Sequence, residues 1–219
     1  KVQRPPTDPD LKVQFPMVKE LLGALGVPIV ELEGWEGDDI LGTVAERASA
    51  EGMRVLLVTG DKDALQLVSD RVSVVSTKKG ITDIVVYDRD AVLERYGVAP
   101  EQVADFLGLK GDSSDNIPGV PGVGEKTAAK LLQEYETLEA VLEHAAEVKG
   151  KLGENLREHA EAARASRLVA TIRRDVPLEL DLDAVEWGTW DDAEALGALS
   201  ALSFTSLVPR LRAMRGPVA

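Results

Sequence analysis

Apolar residues recur at helical spacing from about Leu11 to Leu25, with Pro16 near the start and Gly26-Val27-Pro28 as the stop. Pro28 to Leu32 reads as a short strand. Helical spacing resumes at Asp38 or Asp39 and runs to about Ala50, ending at Gly52. Arg54 to Thr59 is the uninterrupted apolar run R-V-L-L-V-T, which marks a strand buried on both faces of a parallel sheet. Strand, helix and strand with short connections make a βαβ unit. A short helix follows at 64–69, then two strands at 71–76 and 81–87 joined as a hairpin. Beyond Arg89 the pattern predicts helices near 89–96, 100–109, 124–135, 137–145, 151–163, 189–199 and 204–213. The chain is thus α/β in front and mostly helical behind, with a boundary near residue 100.

Composition narrows this picture. The chain has 219 residues, enough to bury about 70% of its extended surface in one main core with a small satellite. Only 4% of residues are aromatic, so the core is aliphatic. There is no cysteine, which excludes disulfides, thiolate metal sites and cysteine nucleophiles. With two histidines, His144 and His159, a histidine-built zinc site is excluded in practice. No apolar stretch spans a bilayer and no secretory pattern opens the chain, so the expected location is cytoplasmic, without a membrane partner. The opening Lys1-Val2-Gln3-Arg4 has no strand or helix before it, which reads as a piece of a longer protein. Gly216 to Ala219 reads as a linker.

Charge raises a sharper question. Lys and Arg number 25 and Asp and Glu 38, a net charge of −13, which argues against coating nucleic acid by bulk electrostatics. The acids fall into three clusters: Glu36, Asp38 and Asp39 after the first predicted strand, Asp61 and Asp63 after the second, and Asp112 and Asp115 in G-D-S-S-D-N. The C-terminal ends of parallel strands share one edge of a sheet, so the first two clusters are expected to converge there. Crowded carboxylates must protonate or recruit cations, and hard Mg²⁺ or Mn²⁺ prefers oxygen ligands. The bland alternative is helix capping by Asp38 or Asp39 and by Asp61 or Asp63. Capping does not require doubled acids at consecutive strand ends.

Residues 117–132 read I-P-G-V-P-G-V-G-E-K-T-A-A-K-L-L. Gly119, Gly122 and Gly124 punctuate a tight turn before a helix, a geometry in which backbone N–H groups face a phosphate, with Lys126 and Lys130 adding charge. The alternative is a glycine-rich turn with no ligand. The spacing is not that of a Walker loop, and no phosphate loop follows the first strand, which removes a nucleotide-binding α/β reading.

Together, E-G-D-D-I at 36–40, V-T-G-D-K-D-A-L-Q-L-V at 58–68, G-D-S-S-D-N-I-P-G-V-P-G-V-G-E-K-T-A at 111–128, T-I-R-R-D-V-P-L at 171–178 and L-S-F-T-S-L at 202–207 resemble the 5′ nuclease domains of bacterial DNA polymerases I, members of the flap endonuclease family. The resemblance implies an α/β PIN-like nuclease core with a mostly parallel sheet at 1–99, an arch remnant at 1–17, a helix-three-turn-helix DNA-binding subdomain at 100–185, and C-terminal helices packing back at 186–219. It implies a monomer, nucleoid-associated, that cuts 5′-flap, nicked or frayed duplex DNA by two-metal-ion hydrolysis in replication and repair. Glu36, Asp38, Asp39, Asp61, Asp63, Asp112 and Asp115 match the metal ligands for two Mg²⁺ or Mn²⁺ ions. Gly119, Gly122, Val123, Gly124, Lys126, Thr127 and Lys130 match the duplex-binding hairpin, with a K⁺ ion held by its carbonyls. Lys78 and Lys79 are expected to track DNA, and Lys1 and Arg4 match the arch residues near the scissile phosphate. A covalently linked polymerase domain is implied as partner. The family's two opening strands, each bringing a metal-binding Asp, have no counterpart in this sequence. That motivates the alternative of a DNA-binding module that does not cleave.

Overall fold

The computed structural model describes residues 6–80 and 83–214. Lys1 and Arg4 lie outside the described residues, as do Gly216 to Ala219 and the side chains of Lys78 and Lys79. The chain divides into two compact units, one of residues 32–178 and one that joins residues 6–31 to 179–214.

Two short helices, α1, Pro9–Lys12, and α2, Gln14–Ala24, belong to the smaller unit, and the larger unit follows with α3, Gly37–Ala50. Strand β1, Val55–Val58, pairs in parallel with β2, Val72–Lys79, through a crossover that contains a 3₁₀ turn at Asp63–Leu67. β2 returns antiparallel into β3, Asp83–Tyr87, with a bulge between Thr77 and Lys79. The sheet is therefore three-stranded and mixed, in the order β1-β2-β3. Its two faces differ: Leu57, Val72 and Val74 are buried, while Leu56, Val58, Ile84 and Val86 on the other face are largely exposed. Among the described residues a second layer covers only the inner face. The expectation of a strand buried on both faces is therefore not met. The apolar run reports what both faces can bury, and one of them is open here.

Pro28 to Leu32 is not a strand either. It belongs to no regular element and carries no ladder partner among the described residues, so the predicted βαβ unit does not form. An apolar run becomes a strand only when a neighbour takes its N–H and C=O groups. The helices expected over 11–25 and 151–163 each form as two, and the other expected elements form with small shifts.

α4, Arg89–Tyr96, starts where the Asp88 carboxylate accepts from Ala91 N at 2.9 Å, and ends at Gly97 in the left-handed region (φ 71°). The helical half holds α5, Val103–Lys110, α6, Glu125–Tyr135, α7, Leu138–Glu143, α8, Gly150–Glu158, and α9, Ala160–Ala170. One core runs through both halves, from Leu57, Val74 and Val92 to Phe106, Leu109, Leu132, Val141 and Leu156. Buried Asp105 ties the helices together, accepting from Leu138 N at 3.1 Å and from Arg167 at 3.3 Å.

Residues 171–178 form an extended strap along α3. A Cβ on Gly42 would sit 2.7 Å from Arg173 O, so only glycine lets the strap lie this close. Thr43, 1% exposed, donates to Asp39 O at 2.8 Å and accepts from Val176 N at 3.1 Å. Arg47 donates to the carbonyls of Leu178 and Val176 at 2.6 and 3.2 Å. Thr43→Val keeps the shape and orphans the Val176 N–H. It is expected to cost about 1–3 kcal/mol, read as a lower denaturant midpoint at unchanged slope.

In the smaller unit, α2 packs with α10, Asp192–Ala201, and α11, Val208–Met214, around Leu21, Ala195, Leu199 and Leu211. Trp187 donates to Leu25 O at 2.9 Å and stacks on Trp190 at 5.9 Å. Among the described residues no helix is long and apolar enough to cross a membrane.

Candidate functional site

Asp61 lies in the loop that leaves the C-terminal end of β1, and Asp63 opens the 3₁₀ turn after it. The Asp61 carboxylate accepts from Asp63 N at 3.0 Å, an Asx turn that leads into this element, while Lys62 is the N-cap residue and supplies no side-chain cap. Local turn bonding and clustering are not exclusive here, because one oxygen serves the backbone and the carboxylate still bears on its neighbours.

The convergence is read from Asp63. Burial, followed by the negative charges of Asp61, Asp112, Asp115 and Asp38, pushes its carboxyl up to about 7. All three acidic clusters of the sequence therefore act on this one group. Asp112 moves the other way. Burial pushes it up, but hydrogen bonds from the Ser114 hydroxyl and N–H and the charge of Lys110 outweigh that, and its carboxyl falls below the ordinary range. The site holds an ionised Asp112 near a carboxyl that keeps its proton close to neutrality.

The first cluster is divided. Glu36 is the N-cap residue of α3 and Asp38 lies in its first turn, where its charge reaches Asp63. Asp39, in the same turn, has Oδ1 on the backbone N–H of Arg173 at 2.9 Å, which holds the strap to α3. Arg173 also lies over the Trp35 ring at 5.7 Å and pairs with Asp175 at 2.8 Å, so Trp35 packs beside the site.

Oxygen-only donors, crowded until one stays protonated, fit a hard divalent cation. Among the described residues, however, no three His, Cys, Asp or Glu side chains close into a group that could hold a metal ion. The carboxylates converge on one region without completing a ligand shell.

The third cluster is physically joined to the glycine hairpin. Asp112 and Ile117 exchange backbone hydrogen bonds at 2.8 and 2.7 Å, closing a loop that carries Asp112 and Asp115. Gly111 and Gly119, at φ 77° and 62°, lie back to back, and Val120 N donates to Leu109 O at 2.8 Å. Val120 to Val123 then form a turn with Pro121 and Gly122 (φ 81°) in the middle, closed by Val123 N on Val120 O at 3.0 Å. Proline followed by a positive-φ glycine is the pattern of a type II turn. Asn155 of α8 donates to Pro121 O at 2.7 Å and fixes the turn. Gly124 is the N-cap of α6 and offers no side-chain cap, so the helix begins with its N-terminal dipole open to an anion. Lys126, Thr127 and Lys130 belong to the first two turns of α6.

Sequence reasoning left Gln66, Thr43 and the strap without a role. T-I-R-R-D-V-P-L signals a resemblance, but nothing in its pattern says which helix it lies on.

Two family models match consecutive parts of the chain: the 5′-3′ exonuclease N-terminal resolvase-like domain over residues 1–97, and the 5′-3′ exonuclease C-terminal SAM fold over residues 98–193. DNA polymerase I of Bacillus caldotenax is 50% identical over 95% of this chain and 24% of its own length. The Bacillus subtilis enzyme is 45% identical over the same shares. The chain thus spans about a quarter of the length of these curated relatives. Among solved structures, T5 5′-exonuclease with bound divalent zinc aligns with a TM-score of 0.65 at 21% identity, covering 96% of this chain and 70% of that one. The catalytic core of Rad2 in complex with DNA substrate aligns at 0.60 and 16% identity, covering 94% and 71%. At these identities the structural likeness concerns the fold.

Proposed function

Because the chain belongs to the 5′-3′ exonuclease family, we propose that it is the nuclease part of a DNA polymerase I-like protein, cutting 5′-flap, nicked or frayed duplex DNA in replication and repair. The observation that carries this reading is the convergence of Asp38, Asp61, Asp112 and Asp115 on Asp63. These residues, with Glu36 and Asp39, are the ones that would hold two Mg²⁺ or Mn²⁺ ions. When bound, such ions supply an activated water and neutralise charge at the scissile phosphate.

The chain's own residues do the rest. Gly122 and Gly124 of the hairpin and the N-terminus of α6 present backbone N–H groups to duplex phosphates, with Gly119 and Val123 shaping the turn and Lys126, Thr127 and Lys130 alongside. Carbonyls of the same hairpin are the proposed K⁺ ligands. Lys78 and Lys79 follow the backbone, and Lys1 and Arg4 serve the region of the scissile phosphate. Contacts of this kind hold the duplex by its backbone and leave base sequence unread. A second reading, binding without cleavage, is an outcome of the test.

The test is a 5′-labelled flap duplex incubated with the 219-residue chain in Mn²⁺ and in EDTA. Short 5′ products in Mn²⁺ alone are expected, with duplex binding in both. Binding without products supports the second reading. Products in EDTA, or no duplex binding, would overturn the proposal.

A further inference from the structure

The strap 171–178 belongs neither to the hairpin nor to the acidic cluster, yet it continues α9, which reaches the hairpin, and touches the elements that carry Asp39 and Asp63. Its junction is Gln66, 6% exposed, in the 3₁₀ turn that Asp63 begins. Gln66 Nε2 donates to Asp63 O and to Ala170 O, each at 2.9 Å. Its Oε1 accepts from Ile172 N at 2.9 Å, and its backbone carbonyl accepts from Arg174 Nη2 at 2.6 Å. One buried amide therefore joins the peptide of Asp63 to the last residue of α9 and to the start of the strap. The strap goes on to α3, where Arg173 N meets Asp39.

The same helix reaches the hairpin. Ser166 of α9, 2% exposed, accepts from Gly119 N at 3.3 Å. Ser166 and Ala170 are one turn apart, about 6 Å along the helix axis. Hydrogen bonds to the hairpin and to Gln66, which in turn holds the Asp63 carbonyl, are thus made by adjacent turns of one helix.

We propose that Gln66 is a positioning residue that couples the hairpin to the acidic cluster, so that seating a duplex on the hairpin tightens cation binding around Asp63. This rests on the nuclease reading above. By linkage the effect is reciprocal: the cation tightens duplex binding by the same factor.

The test is calorimetric titration of Mn²⁺ into the 219-residue chain, alone and with saturating unflapped duplex, for wild type, Gln66→Met and Arg174→Met. In wild type the duplex is expected to tighten Mn²⁺ about tenfold, equivalent to about 1.4 kcal/mol. In Gln66→Met, which fills the volume and makes none of the three side-chain bonds, the factor is expected to fall below about threefold. Duplex affinity in EDTA is expected to stay within about twofold of wild type. Arg174→Met removes the bond to the Gln66 carbonyl, the exposed pair with Glu46 and a weak charge interaction with Glu101, and leaves the Gln66 side chain's own bonds in place. It is expected to lower the factor by about half and serves if Gln66→Met does not fold. Coupling intact in the folded variants, or absent from wild type, overturns the inference. So does a loss of duplex affinity in EDTA equal to the loss in coupling, since the junction would then only shape the hairpin. Failure of wild type to bind Mn²⁺ at all overturns the nuclease reading, and this inference with it.

Discussion

Asp63→Asn is expected to remove Mn²⁺-dependent cleavage while making the metal-free chain more stable at pH 8. The two effects share one cause. The Asp63 carboxyl is pushed up to about 7 by burial and by four neighbouring carboxylates. In the unfolded chain it ionises near its ordinary value of 3.8. Below that value it is protonated in both states and contributes nothing. As pH rises from 3.8 towards 7 the unfolded state loses the proton and the folded state keeps it, so stability falls. Above pH 7 the penalty is complete and constant. Reduced for the part of the carboxyl still in water, it is about 2 kcal/mol. Asn keeps the shape and lacks the charge, so thermal midpoints in EDTA should rise by about 5 °C at pH 8 and by little at pH 4. Mn²⁺ is expected to raise the midpoint of wild type, because a ligand held by the folded state alone stabilises it, and to do less for the variant. A variant that melts lower than wild type at pH 8 in EDTA would show that the carboxylates do not press on Asp63. Retained cleavage would remove Asp63 from the site.

Local chemistry was the legible part of the fold. Asp88 and Gly97 bound α4 because a cap and a left-handed stop act within a few residues. The antiparallel pair β2 and β3 follows from two apolar runs with a turn between them. What the sequence hid depends on partners distant in the chain. Pro28 to Leu32 has strand composition and no ladder neighbour among the described residues. The predicted helix at 151–163 is instead two, α8 and α9, which meet at His159. No glycine or proline marks that break, and the apolar spacing continues through it.

The candidate site was legible as a cluster of acids for a related reason. Acids that follow strand ends announce themselves by type, and Asp61 and Asp63 do lie beyond the end of β1. The sequence could not separate Asp38, whose charge reaches Asp63, from Asp39, whose oxygen holds Arg173 N. Adjacent residues on a helix point about 100° apart, and only the path of the strap decides which one meets it. Gln66 was invisible because its three side-chain partners include two that lie more than a hundred positions away.

The glycines of the hairpin should separate into two kinds under substitution by alanine. At Gly119 a Cβ would lie 2.3 Å from Gly111 N and 2.6 Å from Lys110 C, and φ is 62°. Both atoms are backbone, so no rotamer change relieves the clash. Gly119→Ala is expected to cost about 3 kcal/mol or more, from overpacking and the left-handed conformation together. It should also pull the Asp112–Asp115 loop away from the hairpin, weakening Mn²⁺ and duplex binding alike. At Gly124 a Cβ would meet nothing within 4 Å, and φ is −98°, open to any residue. Gly124→Ala is therefore expected to cost about 1 kcal/mol or less as a lost N-cap preference. Yet if duplex phosphates approach this backbone, the added methyl group stands where they must come, and duplex affinity should fall about tenfold, or about 1.4 kcal/mol. Denaturation and duplex titration of the two variants in EDTA decide the matter. A Gly124→Ala chain that melts and binds like wild type would show that the duplex does not seat on the start of α6. A Gly119→Ala chain as stable as wild type would show that the two loops are not interlocked.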